Sequence, residues 1–244
     1  MQKKVEVSFS PALFSSYFND SDCNVVVVDV FRATSAICTA FAHGVERIIP
    51  VSSVEEARAY QKEGFMVGAE RDGQIVEGFD FGNSPFSYMD EKLKGKTLVL
   101  TTTNGTKAIN IAKSANQILI GSFLNLKYLA DYLIEDEKDV LILCAGWKNR
   151  FNLEDTLFAG ALVKMLVNSP IMSNLADSAI AASYLFKIAE NDLRGFIENS
   201  SHRKRLKRLN LEEDINYCLQ ESILDVIPVF EQNCLINKTA LVSI

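Results

Sequence analysis

Asn24-Val25-Val26-Val27-Val28-Asp29-Val30-Phe31-Arg32-Ala33-Thr34-Ser35 is the stretch on which the fold turns. Four consecutive valines make an unbroken β-branched run, without the apolar–polar alternation of a strand that has one wet face. A strand of this kind is covered on both sides, as in a parallel sheet with helices on either face. The run stops at Asp29, with Arg32, Thr34 and Ser35 close behind. In such sheets ligands bind beyond the carboxyl ends of the strands. Thr97-Leu98-Val99-Leu100 repeats the arrangement and ends in Thr101-Thr102-Thr103-Asn104-Gly105-Thr106.

Outward from these two runs, strand and helix patterns alternate. Strands are predicted at 4–9, 24–29, 46–51, 65–69, 97–101, 117–120 and 139–144. Helices are predicted near 11–18, 34–43, 54–63, 105–114 and 124–134. The helix at 54–63 has the clearest punctuation: Ser53 caps it, Glu56 completes a capping box and Gly64 closes it. The expectation is an α/β fold in three layers, a largely parallel or mixed sheet with helices on both faces. After Cys144 the pattern changes to long helices at 153–167 and 174–190, a charged stretch, and short strands at 226–231 and 234–243. Pro228 marks a strand start or a sheet edge. Residues 1–244 read as a single domain, with a change of lobe near 145–150 the one candidate division. The segment 70–90 lacks periodicity, and a loop that long in a compact domain is usually functional.

At 244 residues, 48% hydrophobic and 23% charged, the chain can bury a substantial core. Its formal net charge of −6 argues against general affinity for nucleic acid or an anionic membrane surface. An anionic ligand therefore needs local positive charge, from basic side chains or a metal. No run is long enough to span a bilayer, and Met1-Gln2-Lys3-Lys4 leads into a strand, not a signal-peptide core. Five cysteines without metal-type spacing read as reduced thiols, which places the chain in the cytoplasm. Homo-oligomerisation is left open.

Several phosphate motifs fail. Gly95-Lys96-Thr97 resembles the end of a P-loop, but Asp90 stands where its first glycine belongs, and the tripeptide precedes its strand. There is no G-x-G-x-x-G. An aspartate-nucleophile phosphatase needs a second aspartate where Phe31 stands. Two histidines, His43 and His202, do not make a histidine-rich metal site. Carboxylates, an arginine, hydroxyls and backbone amides remain, a set suited to a hard cation with a phosphate or carboxylate.

Val27-Val28-Asp29-Val30-Phe31-Arg32-Ala33-Thr34-Ser35, Gly68-Ala69-Glu70-Arg71, Gly78-Phe79-Asp80-Phe81-Gly82-Asn83-Ser84-Pro85 and Thr102-Thr103-Asn104-Gly105-Thr106 resemble the successive motifs of the 2-phosphosulfolactate phosphatase family. Cys144-Ala145-Gly146 and Leu153-Glu154-Asp155-Thr156-Leu157-Phe158-Ala159-Gly160 continue in the same order. The resemblance runs from about residue 4 to Asp225-Val226-Ile227-Pro228, and the motifs are specific as a set. It implies an α/β fold and Mg²⁺-dependent hydrolysis of the phosphate ester of a 2-hydroxy-3-sulfo acid, on the route to coenzyme M. Phe31 departs from the aliphatic residue, usually leucine, that the resemblance leads one to expect.

Each residue also has a plainer reading. Asp29 could cap the following helix, and Arg32 could pair with it, though the planar fork of an arginine suits phosphate or sulfonate. Asn104-Gly105 could be an ordinary turn, but the surrounding hydroxyls and a helix start suit a phosphate cradle. Glu70 and Arg71 follow a strand and could be a surface ion pair. Asp80, Asn83 and Ser84 could order their own loop, with Pro85 starting a helix. Asn152 and Asp155 read as a helix cap. Only the resemblance raises Asp155 to a metal ligand, with Glu154 as its competitor. Cys144 reads as core, and Trp147 as either cleft lining or core cover. Arg203-Lys204-Arg205-Leu206-Lys207-Arg208 reads as a solvated helix face, its leucines turned inward.

The sequence reading is thus a cytoplasmic Mg²⁺-dependent phosphatase for a small anionic phosphate ester. Asp29 and Arg32 are its catalytic candidates, and Asp29, Glu70 and Asp155 its metal region. Arg32, Arg71, Asn83, Ser84, Thr103, Asn104, Gly105 and Thr106 are its anion ligands. Attack by water and attack by a carboxylate both stay open, as does a non-catalytic binder of phosphorylated or sulfonated metabolites.

Overall fold

Every strand among the described residues enters one mixed sheet of eleven. The computed structural model describes residues 1–18 and 22–238. The strands are β1 (Lys4–Ser8), β2 (Asn24–Val28), β3 (Arg47–Pro50), β4 (Met66–Arg71), β5 (Gln74–Ile75), β6 (Thr97–Thr101), β7 (Gln117–Gly121), β8 (Val140–Cys144), β9 (Asn174–Leu175), β10 (Pro228–Glu231) and β11 (Cys234–Asn237). The helices are α1 (Phe14–Tyr17), α2 (Ala33–Ala42), α3 (Val54–Lys62), α4 (Gly105–Ile111), α5 (Leu126–Asp136), α6 (Leu153–Leu166), α7 (Asp177–Ala189), α8 (Leu193–Ile197), α9 (Ser201–Arg208) and α10 (Glu212–Cys218).

The valine run behaves as its composition demands. Val26 and Val28 point into a core shared with α5, α6 and α7, while Val25 and Val27 point into a second core shared with α2 and α4. All four are fully buried, each favouring the fold by about 1.5–3 kcal/mol over exposure. A third, smaller core of Val51, Ala57, Val67, Ala69, Phe79 and Val99 lies under α3.

The strand order is β5-β4-β6-β3-β11-β10-β7-β2-β8-β1-β9. Two parallel sets, β4-β6-β3 and β7-β2-β8-β1-β9, flank the antiparallel hairpin β10–β11. Three successive antiparallel pairings separate the sets, so they run in opposite directions. Five strand-to-strand steps lie between β6 and β2. At roughly 20–25° of twist per step, about 100–125° accumulates, which swings the two opposed sets back towards each other. Their carboxyl ends therefore meet: Gly105, after β6, lies against Asp29, after β2.

Several sequence expectations change in detail. The helix predicted from 174 begins at Asp177, because Asn174–Leu175 pairs with β1 as an edge strand. Glu70 and Arg71 lie within β4, which folds back through Asp72-Gly73 onto β5 within the supposed loop 70–90. Both turn residues have positive φ, the two-residue hairpin turn that Asp-Gly favours. Pro228 starts a strand, but in the middle of the sheet and not at an edge. The charged stretch after α7 folds into α8, α9 and α10. The last strand is observed over Cys234–Asn237 and stops before Lys238, and 239–243 of the range predicted for it lie outside the described residues. Ser53 caps α3 as predicted, while Glu56 reaches back to the amide of Ser52, one residue early.

Candidate active site

Asp29 begins the turn between β2 and α2. Its main-chain amide donates to Thr34 Oγ1 at 3.1 Å, and its carboxylate accepts from the amide of Ala33 at the start of α2. The cap reading is thus correct as far as it goes. Burial, reinforced by Asp155, Glu70 and Glu154 nearby, holds the Asp29 carboxyl well above the usual carboxylate range. Asp155 is the first of these neighbours, itself pushed to about 7 by burial and by Glu154. Four carboxylates therefore share one corner of the protein.

Asp155 sits in the first turn of α6 under the ends of β2 and β8. Its Oδ1 accepts from Val30 N at 2.9 Å, and Oδ2 from Gly146 N at 3.0 Å and Asn152 Nδ2 at 2.9 Å. Of roughly four acceptor positions on a carboxylate, one on Oδ1 is left. Glu154 bonds His202 Nδ1 through Oε1, while its Oε2 is buried with no partner. Glu70 is buried, its Oε1 accepting from Gly73 N and its Oε2 from the amide and hydroxyl of Thr103 at 3.3 and 3.2 Å.

The surface ion pair of Glu70 with Arg71 is not formed. Neighbours along a strand point to opposite faces, and Arg71 bonds the Glu70 carbonyl and Thr101 Oγ1. Arg32 does not pair with Asp29 either. Its Nη1 bonds Asp214 on α10 at 2.8 Å and its Nη2 bonds the carbonyl of Gly73 at 2.9 Å. These side chains are 4% and 8% exposed for Arg32 and Asp214, a buried pair between residues 182 positions apart.

Asp29, Arg32, Glu70, Asn83, Thr103 and Asn104 line one pocket, closed down to about 10 Å³. Asn83 presents a buried Oδ1 without a partner. Gly105 stands beside Asp29, where a Cβ would lie 2.5 Å from that of Ala33 and 3.1 Å from Asp29 Oδ2. Thr106 turns away from the pocket. Its hydroxyl and that of Thr102 accept from each other's amides at 3.2 and 3.1 Å, which fixes the loop leading into α4. Ser84 lies outside the pocket lining and precedes the 3-10 turn Pro85–Met89. Arg71 and Thr103 line an adjoining open cleft of about 450 Å³ with Ser52, Lys107 and Asn110. Cys144 is core: burial and Asp155 raise its thiol well above the usual range, the opposite of what a nucleophile needs.

The basic run is a solvated face only in part: Lys204, Lys207 and Arg208 are exposed and Leu206 turns inward as expected, but Arg203 and Arg205 do not follow. Arg203 is buried and bonds Glu212 through both terminal nitrogens, at 2.7 and 2.6 Å. His202 is buried on Glu154, and Arg205 and Leu206 line the closed pocket. Sequence reading missed these residues and Asp214. The one available signal was that His202 is one of two histidines, set directly before the one concentrated basic run.

Among the described residues, no three Asp, Glu, His or Cys side chains are placed to hold a metal ion together. Asp29 and Glu70, with Asp155 adjoining, are the carboxylates that could share a cation with a bound anion. The chemistry of the donors fits one: carboxylates are gathered in low dielectric, and the neighbouring arginine is already committed to Asp214.

Fold and site together define an α/β enzyme whose acidic, arginine-flanked centre lies where the ends of two strand sets meet. A family model described as 2-phosphosulpholactate phosphatase matches residues 9–233. The chain belongs to that family, and so to the phosphoric monoester hydrolases. It is 44% identical over 213 residues to a protein of Thermotoga petrophila named "Probable 2-phosphosulfolactate phosphatase", covering 87% of this chain and 91% of the relative. A protein of the same name from Thermotoga maritima shows the same identity and coverage. One from Caldanaerobacter subterraneus is 40% identical over 217 residues, 86% of this chain and 90% of the relative.

Proposed function

We propose that this chain is a Mg²⁺-dependent phosphatase that converts 2-phosphosulfolactate to sulfolactate and phosphate in the cytoplasm. The observation that carries the reading is the cluster of Asp29, Glu70, Glu154 and Asp155 beside Arg32, with the Asp29 carboxyl held high by burial and by its acidic neighbours. Carboxylates in that arrangement repel a phosphate unless a cation lies between them. Mg²⁺, bound through one or two carboxylates and completed by water and phosphate oxygens, would supply that charge.

The chain's own residues then divide the work. Asp29 and Glu70 would hold the cation, with Asp155 adjoining it and fixing the loops after β2 and β8. Arg32 is held rigid by Asp214 and the Gly73 carbonyl, and turns its remaining N–H donors to the phosphate. Thr103 and Asn104 approach from the β6 end, and Gly105 leaves the room that a side chain would fill. Asn83 offers its unpartnered amide oxygen to a hydroxyl or to bound water. The active site excludes bulk water, which strengthens each of these interactions. No nucleic-acid or membrane partner is assigned, and no helix among the described residues is long and apolar enough to cross a membrane.

The test is a substrate panel of 2-phosphosulfolactate, phospholactate, phosphoglycerates and nucleotides, compared by kcat/KM with and without Mg²⁺. The small acidic esters should lead, and chelation should abolish turnover until Mg²⁺ is returned. Full activity in rigorously metal-free protein would remove the cation from the mechanism. Binding of an ester without release of phosphate would make the protein a binder instead.

A further inference from the structure

Among the described residues Arg205 has no counter-charge. Arg32 is neutralised by Asp214, and Arg203 by Glu212 and Glu198. Among the described residues, no carboxylate lies within ion-pair distance of Arg205, although it lines the same closed pocket as Asp29 and Glu70. Its Nη2 lies 2.8 Å from His202 Nε2, its guanidinium stacks 5.2 Å over the ring of Trp147, and its Nε is buried with no partner. A guanidinium has no acceptor and keeps its protons, so His202 Nε2 must accept. His202 then carries its proton on Nδ1 and donates it to Glu154 Oε1. The chain Glu154–His202–Arg205, with Trp147 beneath, holds a planar cation in one orientation and spends none of its charge.

The two arginines reach the pocket from different elements. Arg32 comes from the end of β2, next to Asp29, where phosphate must lie to meet the carboxylate-held cation. Arg205 comes from α9. An ester with a single anionic group would use one of them. We propose that Arg205 is the specificity-determining residue of this site, receiving the anionic group of the substrate that is not transferred, a carboxylate or a sulfonate. His202 and Glu154 are its positioning residues. The inference rests on the phosphatase reading above and deepens it: the preferred substrates carry a second anion near the phosphate, which the fork of Arg205 binds in a bidentate manner.

The experiment compares Arg205→Ala, Arg205→Lys and His202→Gln with the wild-type chain in Mg²⁺. The substrates are 2-phosphosulfolactate, 2-phospholactate and ethyl phosphate, which carries no second anion. The preference for 2-phosphosulfolactate over ethyl phosphate, as a ratio of kcat/KM, should fall about ten- to a hundredfold in Arg205→Ala. The loss should lie mainly in KM. Arg205→Lys should recover part of it, and His202→Gln should lose less and in the same direction. A loss for 2-phosphosulfolactate alone assigns the contact to sulfonate, and a loss shared by 2-phospholactate assigns it to carboxylate. An unchanged preference in folded Arg205→Ala, or in Arg205→Lys and His202→Gln if the alanine variant does not fold, overturns the proposal. If wild-type protein hydrolyses none of the esters, the phosphatase reading fails separately. Calorimetry with sulfolactate and with inorganic phosphate then decides. A fall in sulfolactate affinity relative to phosphate in the Arg205 variants sustains the role, and an unchanged ratio removes it.

Discussion

Asp29 was legible because its chemistry is local: a carboxylate directly after four buried valines marks a ligand edge whatever the rest of the chain does. Asp29→Asn keeps the shape and removes the charge that would hold Mg²⁺ or attack phosphorus. Turnover should collapse while the melting temperature stays within a few degrees, and steady-state kinetics beside a thermal melt would show both. Arg32 was legible as a residue but not in its attachment, since Asp214 arrives from 182 positions away. Arg32→Lys keeps the charge and loses the fork, so kcat/KM should fall by about one to two orders of magnitude, the worth of a charge-assisted bond of roughly 1.5–3 kcal/mol. Arg32→Ala leaves Asp214 buried and unpaired, at a cost of about 3–5 kcal/mol of stability. A urea melt that shows Arg32→Ala no less stable than Arg32→Lys would argue against the pair as a structural tie.

At the scale of elements, β2, β6 and the starts of α2 and α4 follow from periodicity and punctuation, whereas their closeness does not. Gly105 records it. A methyl group there would meet the Ala33 side chain at 2.5 Å, so Gly105→Ala should force α4 away from α2. The expected result is about 1–3 kcal/mol lost from overpacking and a larger proportional loss of activity, because Asp29 lies in the gap. Denaturant melts and kinetics on one preparation would separate the two effects. The segment α8 to α10 gave the poorest sequence signal, since a run of basic residues reads as solvated until carboxylates from elsewhere are found to meet it. A pocket of about 10 Å³ cannot admit a phosphate ester unless something withdraws, and α9 forms part of its wall. Amides of 193–218 should therefore exchange with deuterium faster than those of β2 and β8, and should slow when Mg²⁺ and phosphate are added. Equal protection in both states would show that substrate enters elsewhere, by way of the cleft beside Arg71.

For the whole molecule, the proposed cation site would link metal binding, pH and stability through the carboxylate cluster. Asp155 has a folded value of about 7 against an ordinary 3.8, so the fold favours its protonated form. That contribution is fully present below about pH 4 and is lost as pH rises through the window up to about 7. Asp29 shifts in the same direction. A cation bound at this cluster would have to displace these protons, so its stabilisation of the fold should be small near pH 5 and grow towards pH 8. Melting temperatures with and without Mg²⁺ across that range would show it, and a shift independent of pH would place the cation away from Asp29 and Asp155. By itself the sequence determined the layers of the fold, the strand ends that meet at the pocket, and the pocket-lining residues Asp29, Arg32, Glu70, Asn83, Thr103 and Asn104, because apolar periodicity and motif order are properties of short windows. Only the tertiary structure decided that two opposed strand sets meet, that Asp214 holds Arg32, and that Glu154, His202 and Arg205 form one chain beside the pocket. Those outcomes depend on sheet twist accumulated over five strand-to-strand steps and on contacts between residues far apart in the chain, and no local pattern encodes either.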